Sequence, residues 1–193
     1  MARELVFKNG KIVLEDRVVD GNVVVCDNLI TEIDDTPTEI KTSIDLEGDY
    51  LLPGLIELHT DNLEKHINPR PGVRWPTAAA LLAHDSQVIA AGITSVFDAL
   101  AIGDIRDDSA RLQDLNEMVS ALNDAHRTNA LRADHYLHMR CEVSCQKLTD
   151  MFTPLAKKNH GAPYIDDGSY TRPTPISRPR TIQILLRLQM GKE

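Results

Sequence analysis

His59-Thr60-Asp61 places an imidazole and a carboxylate two residues apart at the end of the apolar run LLPGLIELHTD. In an extended strand, residues of equal parity share a face, so Leu55, Glu57, His59 and Asp61 point one way. In the later stretch HYLHMRCEV, Tyr136, His138, Arg140 and Glu142 share a face, and Leu137, Met139, Cys141 and Val143 take the other. If both stretches are parallel strands, His59, Asp61 and Glu142 lie at their C-terminal ends, where parallel sheets and barrels build their sites. One imidazole and two carboxylates there suit Zn²⁺, Mn²⁺ or a similar divalent ion. Such a cation lowers the pKa of water and supplies hydroxide near neutral pH. His-x-Asp is also a short motif that arises by chance, and His59 could simply hydrogen-bond within a loop.

The remaining candidates are weaker. His84, beside Asp85 on a helical stretch, reads equally as a helix-face hydrogen bond or a substrate contact. His138 reads as a satisfied interior histidine, with support of a ligand as its functional alternative. His66, His126 and His135 read as structural or exposed. Cys141 reads as core packing, because Cys141 and Cys145 lack the second pair of a zinc ribbon. Asp98, at the end of ITSVFDAL, could orient a ligand or cap a turn.

The elements that must position these residues follow from hydropathy. Residues 4–52 are short β-rich pieces with alternating Val, Ile and Leu, and Gly10 and Gly21-Asn22 read as turns. Beyond the apolar run, TAAALLAHDSQVIAAG reads as a helix capped by Gly92, ITSVFDAL as a strand, and RLQDLNEMVSALNDAHR as an amphipathic helix. HYLHMRCEV is then a third strand and CQKLTDMFTPLA a third helix. Strand and helix alternating at this spacing means βα units, hence a parallel sheet or a (β/α) barrel. Three units do not close an eight-stranded barrel, and the pattern fits a small open sheet as well as a chain that stops early.

The chain has 193 residues, 42% hydrophobic and 26% charged, a globular composition. The net charge of −8 argues against a nucleic-acid partner, and no apolar run is long enough to span a bilayer. Three cysteines and the lack of a secretory signal in MARELVFKNG point to a reducing cytoplasm. Residues 157–193 carry seven Lys/Arg against three Asp/Glu, and five of the ten prolines lie at or beyond Pro154. That reversal of charge reads as a linker, a tail or sequence of different origin.

LLPGLIELHTDNLEKH resembles the first barrel strand of the amidohydrolase superfamily, in which Pro-Gly and a hydrophobic pair precede a metal-ligand pair. His59-Thr60-Asp61 departs from the superfamily's usual His-x-His. With Asn62 it resembles one branch, the α-D-ribose 1-methylphosphonate 5-triphosphate diphosphatases of the carbon–phosphorus lyase pathway. The likeness continues through PRPGVRWP, AHDSQVIAAGITSVFDALAIGDIRD and ADHYLHMRCEVS, from residue 1 to about residue 156. It implies an α/β fold: part of a TIM-like (β/α) barrel over residues 53–156, preceded by the N-terminal portion of a small β-sandwich over residues 1–52.

The resemblance also implies a metal-dependent hydrolase that cleaves a phosphoanhydride of a phosphorylated ribose and releases pyrophosphate. His59 and Asp61 would hold a divalent metal, Zn²⁺ or Mn²⁺. Glu142 stands where most of the superfamily carries a carboxylated lysine, and is the candidate bridging carboxylate. A triphosphate needs positive side chains on so acidic a chain, and Lys65, Arg70 and Arg140 are the candidates. For Lys65 and Arg70 the plain alternative is solvated loop charge. For Arg140 it is a structural ion pair with Glu142. Arg74 reads as surface. The other functional readings are a different amidohydrolase reaction, on a cyclic amide or a base, and a noncatalytic binding piece. A homo-oligomer is left open.

After Leu155-Ala156 the branch would run into a fourth strand and a motif of the type LVSLMDHTPGQRQF, whereas this chain reads KKNHGAPYIDDGSYTRPTPISRPRT. Back-translating His160 to Thr181 and starting one nucleotide later permits MVRLISMMDHTPGQRQFRDLE. The expectation is therefore a frameshift within the codons for Lys157-Lys158-Asn159. Residues 157–193 would then be an out-of-frame tail, the fourth and later strands would be missing, and the chain would have little or no hydrolase activity.

Overall fold

The computed structural model describes residues 4–36, 40, 42–103, 109–142, 145–158 and 163–166. Two compact units divide between Gly54 and Leu55. Val143, Ser144 and, within the charge-reversed tail, residues 159–162 and 167–193 lie outside what is described, as do the side chains of residues 109–112, 157–158 and 163–166.

The first unit is a five-stranded sheet. β1 (Glu4–Val13) pairs antiparallel with β2 (Val18–Cys26), which pairs antiparallel with β3 (Leu29–Asp34). β4 (Ile44–Asp45) and β5 (Tyr50–Leu51) run parallel to β1 on its other edge. Phe7, Ile12, Val23, Val25, Leu46 and Leu51 form its buried cluster.

The glycines read as turns lie inside strands. Around Asn9 and Gly10 the β1–β2 register shifts, and Asn9 takes a positive φ of 56°, so the irregularity is a bulge. The reversal between β2 and β3 is instead made by Asp27 and Asn28, with φ of 49° and 67°, the left-handed pair that a two-residue hairpin needs. Gly21 is required by close approach: a Cβ there would sit 2.1 Å from the Asp34 carbonyl oxygen. Gly21→Ala is expected to destabilise this sheet by about 1–3 kcal/mol, the scale of overpacking that backbone must relieve. Chemical denaturation of the variant against the parent chain measures it.

The second unit is a four-stranded parallel sheet in the order β6-β7-β8-β9. β6 (Leu55–Thr60) is followed by α1 (Asn62–Ile67) and α2 (Thr77–Ala90), β7 (Ile93–Ile102) by α3 (Ser109–Thr128), and β8 (Asp134–Cys141) by α4 (Leu148–Lys158). The expected helices and strands are all present, and Gly92, φ 88°, closes α2. α1 is an addition: Leu63 and Ile67, four apart, are buried with Ala80 and Leu81 of α2. β9 (Pro163–Asp166), within the charge-reversed segment, extends the sheet parallel to β8.

Alternation sorts the two faces. Val96, Leu100 and Ile102 of β7, with Leu137 and Met139 of β8, are buried on one side. Leu100, Ile102, Leu137 and Met139 share a cluster with Leu115, Met118, Val119 and Leu122 of α3. The opposite parity, Ala99 and Ala101 with His138 and Arg140, forms the other face. Among the described residues β6 is one of the two edge strands, with Leu55, Ile56 and Leu58 exposed. No helix among the described residues is long and apolar enough to cross a membrane.

Candidate functional site

At the C-terminal end of β6, the side chains face β8 across β7. The paired registers set Thr60 beside Asp98, Ala99 beside His138 and Ala101 beside Arg140. β7 contributes only methyl groups at Ala99 and Ala101, so longer side chains from its two neighbours meet above it. The His59 and His138 rings pack edge to face with centroids 4.9 Å apart. Arg140 donates from Nη1 to Asp61 Oδ1 at 2.6 Å, and His59 Nε2 lies 3.7 Å from the same oxygen. His138 Nδ1 lies 3.4 Å from the Leu58 carbonyl oxygen, which anchors its ring beneath His59.

Local backbone chemistry frees Asp61 for this role. Thr60 is buried, and its Oγ1 accepts from the Asn62 N–H at 3.2 Å at the entry to α1. Asp61 sits at the N-cap of α1 without a side-chain capping bond. Its carboxylate turns instead to Arg140, with both side chains about two-fifths exposed.

Sequence-predicted residues fall into two sets. His59, Asp61 and Arg140 are brought together. Arg140 pairs with Asp61, since β7 presents no bulk that would keep the guanidinium from β6. Glu142 is exposed just past β8, its N–H donating to the Ile102 carbonyl and its Cβ near Gly103. Lys65 lies on α1, not in a loop, and donates to Asn62 Oδ1 at 3.3 Å. Arg70 is exposed in a turn closed by a bridge to Val73. Arg74, read as surface, ties this turn to α3 through Asp114 and through Glu117 at 2.6 Å.

A second cluster lies on the helix side of the sheet, and sequence reasoning missed it. Asp98, His84 and His135 are completely buried. Asp98 accepts from His84 Nε2 at 2.8 Å and from His135 Nδ1 at 2.7 Å. Asp85 Oδ1 accepts the backbone N–H groups of Arg132 and Ala133, each at 2.9 Å, and lies 3.4 Å from His135 Nε2. Burial pushes the Asp98 pKa up, but the hydrogen bonds and charges of His135 and His84 outweigh that and hold it below the ordinary value of 3.8. The parity of Asp98 with the apolar Val96 and Leu100 was the available signal: a carboxylate among core positions must be paired.

Among the described residues, His84, Asp98 and His135 are the group of three whose ligand atoms lie within 4.8 Å of one another. Their 2.7 and 2.8 Å separations are those of hydrogen bonds. Two donors on one tetrahedral ion, each about 2.1 Å away, stand about 3.4 Å apart. His59 Nε2 and Asp61 Oδ1, 3.7 Å apart and open to solvent, fit that spacing better. The donor set of the β6 end, imidazole plus carboxylate, therefore suits a divalent cation.

The chain is 42% identical over 154 residues to the α-D-ribose 1-methylphosphonate 5-triphosphate diphosphatase of Escherichia coli strain K12, covering 80% of this chain. A shorter match, 34% identical over 68 residues, joins 34% of the chain to 12% of adenine deaminase 2 of Desulfotalea psychrophila. No family model matches. An uncharacterized metal-dependent hydrolase from Pyrococcus furiosus aligns in fold with a TM-score of 0.54 at 10% identity, over 71% of this chain and 50% of that one. The chain spans about two-fifths of the length of the E. coli enzyme, and over four-fifths of its own length it is a sequence relative of that diphosphatase.

Proposed function

We propose that this chain carries the N-terminal share of a metal-dependent diphosphatase site acting on α-D-ribose 1-methylphosphonate 5-triphosphate in phosphonate breakdown. The observation that carries the reading is the meeting of His59, Asp61 and Arg140 at the C-terminal end of parallel strands. The identity to the E. coli diphosphatase supports the choice of substrate. In this reading the parallel sheet is part of a (β/α) barrel and the N-terminal sheet part of a sandwich. His59 and Asp61 would hold a divalent cation, Zn²⁺ or Mn²⁺, with Glu142 as the candidate further carboxylate. A cation there polarises a phosphoryl oxygen and makes hydroxide available near neutral pH. His138 holds the His59 ring, and Lys65, Arg70 and Arg140 offset phosphate charge. A sequence with only three cysteines supports a reducing, cytoplasmic setting.

The match to an adenine deaminase gives a second reading, deamination or cyclic-amide hydrolysis at the same place. Titration of the purified chain with the triphosphate, with adenine and with hydantoin-type cyclic amides, each with and without Mn²⁺, separates them. Cation-dependent binding of the triphosphate, with or without pyrophosphate release, is the expected result. Cation-dependent binding or turnover of adenine or the cyclic amide in its place would overturn the diphosphatase reading.

A further inference from the structure

We propose that Arg140 is a latch on the candidate cation site: its guanidinium neutralises Asp61 while no cation is bound, and cation binding frees it to hold a phosphoryl group. The inference rests on the site reading given above and adds a coupling to it. Arg140 Nη1 lies 2.6 Å from Asp61 Oδ1, the same oxygen that faces His59 Nε2 at 3.7 Å. A cation shared by His59 and Asp61 would therefore approach the oxygen that the guanidinium now occupies. Two cations do not share one carboxylate oxygen closely without repulsion. Because arginine stays protonated, the conflict resolves by movement of the side chain and not by loss of its proton.

The surroundings allow that movement. Arg140 and Asp61 are each about two-fifths exposed, so solvent can take up the released guanidinium. Its strand neighbour on β7 is Ala101, so the swing meets no bulky side chain there. A freed, planar guanidinium beside a divalent cation is suited to two oxygens of one phosphoryl group, whose negative charge relieves the repulsion between them. Cation and phosphoryl ligand should thus bind cooperatively, each favouring the arrangement the other needs.

Mn²⁺ binding followed by electron paramagnetic resonance, with and without methylphosphonate, tests this on the whole chain. Arg140→Met is expected to bind Mn²⁺ about tenfold more tightly than the parent, and to lose the tightening that methylphosphonate brings. Arg140→Lys, which keeps the charge on a more compact head, should fall between the two, and thermal melting shows that each variant is folded. Equal or weaker Mn²⁺ binding by folded Arg140→Met would overturn the latch and leave a plain orienting role. Mn²⁺ binding that survives both His59→Ala and Asp61→Asn would instead overturn the site on which the latch depends, as would its absence from every variant.

Discussion

Asp98→Ala is expected to lower the unfolding midpoint of the parallel-sheet unit by about 10 °C or more. Asp98 has no exposure, and its two oxygens each accept from a fully buried imidazole, His84 from α2 and His135 from β8. Alanine leaves both imidazole N–H groups without an acceptor, and breaking a buried pair in this way costs about 3–5 kcal/mol. At this size each kcal/mol moves the midpoint by a few degrees. Asp98→Asn should cost less. Its carbonyl oxygen still accepts from one imidazole, and its amide can donate to the other if that ring moves its proton to the far nitrogen. His84 Nδ1 and His135 Nε2, which make no hydrogen bond among the described residues, are the nitrogens available for that shift. A melt in chelator checks the assignment as a hydrogen-bonded brace: the midpoint of the parent should not change.

The same carboxylate sets an acid limit. Its pKa is lowered by folding from 3.8, so its stabilisation is complete above that value and fades as the pH falls through the lower folded value. Melting followed from about pH 5 to about pH 3 should therefore show a steeper loss for the parent than for Asp98→Asn. Parallel slopes would mean that Asp98 does not supply this term.

His59→Ala and Asp61→Asn are expected to weaken divalent-cation binding about a hundredfold or more, while changing the unfolding midpoint little. Losing only a supporting residue of a metal site commonly costs 10- to 100-fold, so losing a ligand should cost at least as much. The small effect on stability follows from exposure, since these side chains are 47% and 39% accessible. Calorimetric titration with Zn²⁺ or Mn²⁺ beside a thermal melt separates the two quantities. Unchanged cation affinity would remove His59 and Asp61 from the site. Asp61→Asn also breaks the pair with Arg140, an exposed interaction of small net worth.

Much of the parallel-sheet unit was legible because its signals are local. Helix α3 repeats its apolar residues at Leu115, Met118, Val119 and Leu122, and these are buried. Parity on β8 separated Leu137 and Met139, which pack under helices, from His138 and Arg140, which reach β6. The first sheet was less legible. Gly10 and Gly21 carried the usual mark of a turn, yet each lies where a neighbouring element leaves no room for a Cβ, against Leu46 and the Asp34 backbone. The true reversal fell to Asp27-Asn28. α1 escaped notice because its six residues are too few for periodicity to show, and its burial comes from α2.

The order β6, α2, β7, α3, β8, α4, the faces their residues take, and the likeness of His59-Thr60-Asp61 to a metal-ligand pair were readable along the chain, since each depends on spacing within one element. Which partners those residues meet was not. Asp61 is joined to Arg140 across 79 positions and Asp98 to His135 across 37, and no local pattern encodes such distances. The parallel register decided them, by placing two alanines of β7 beneath one group and the packed helix α2 above the other.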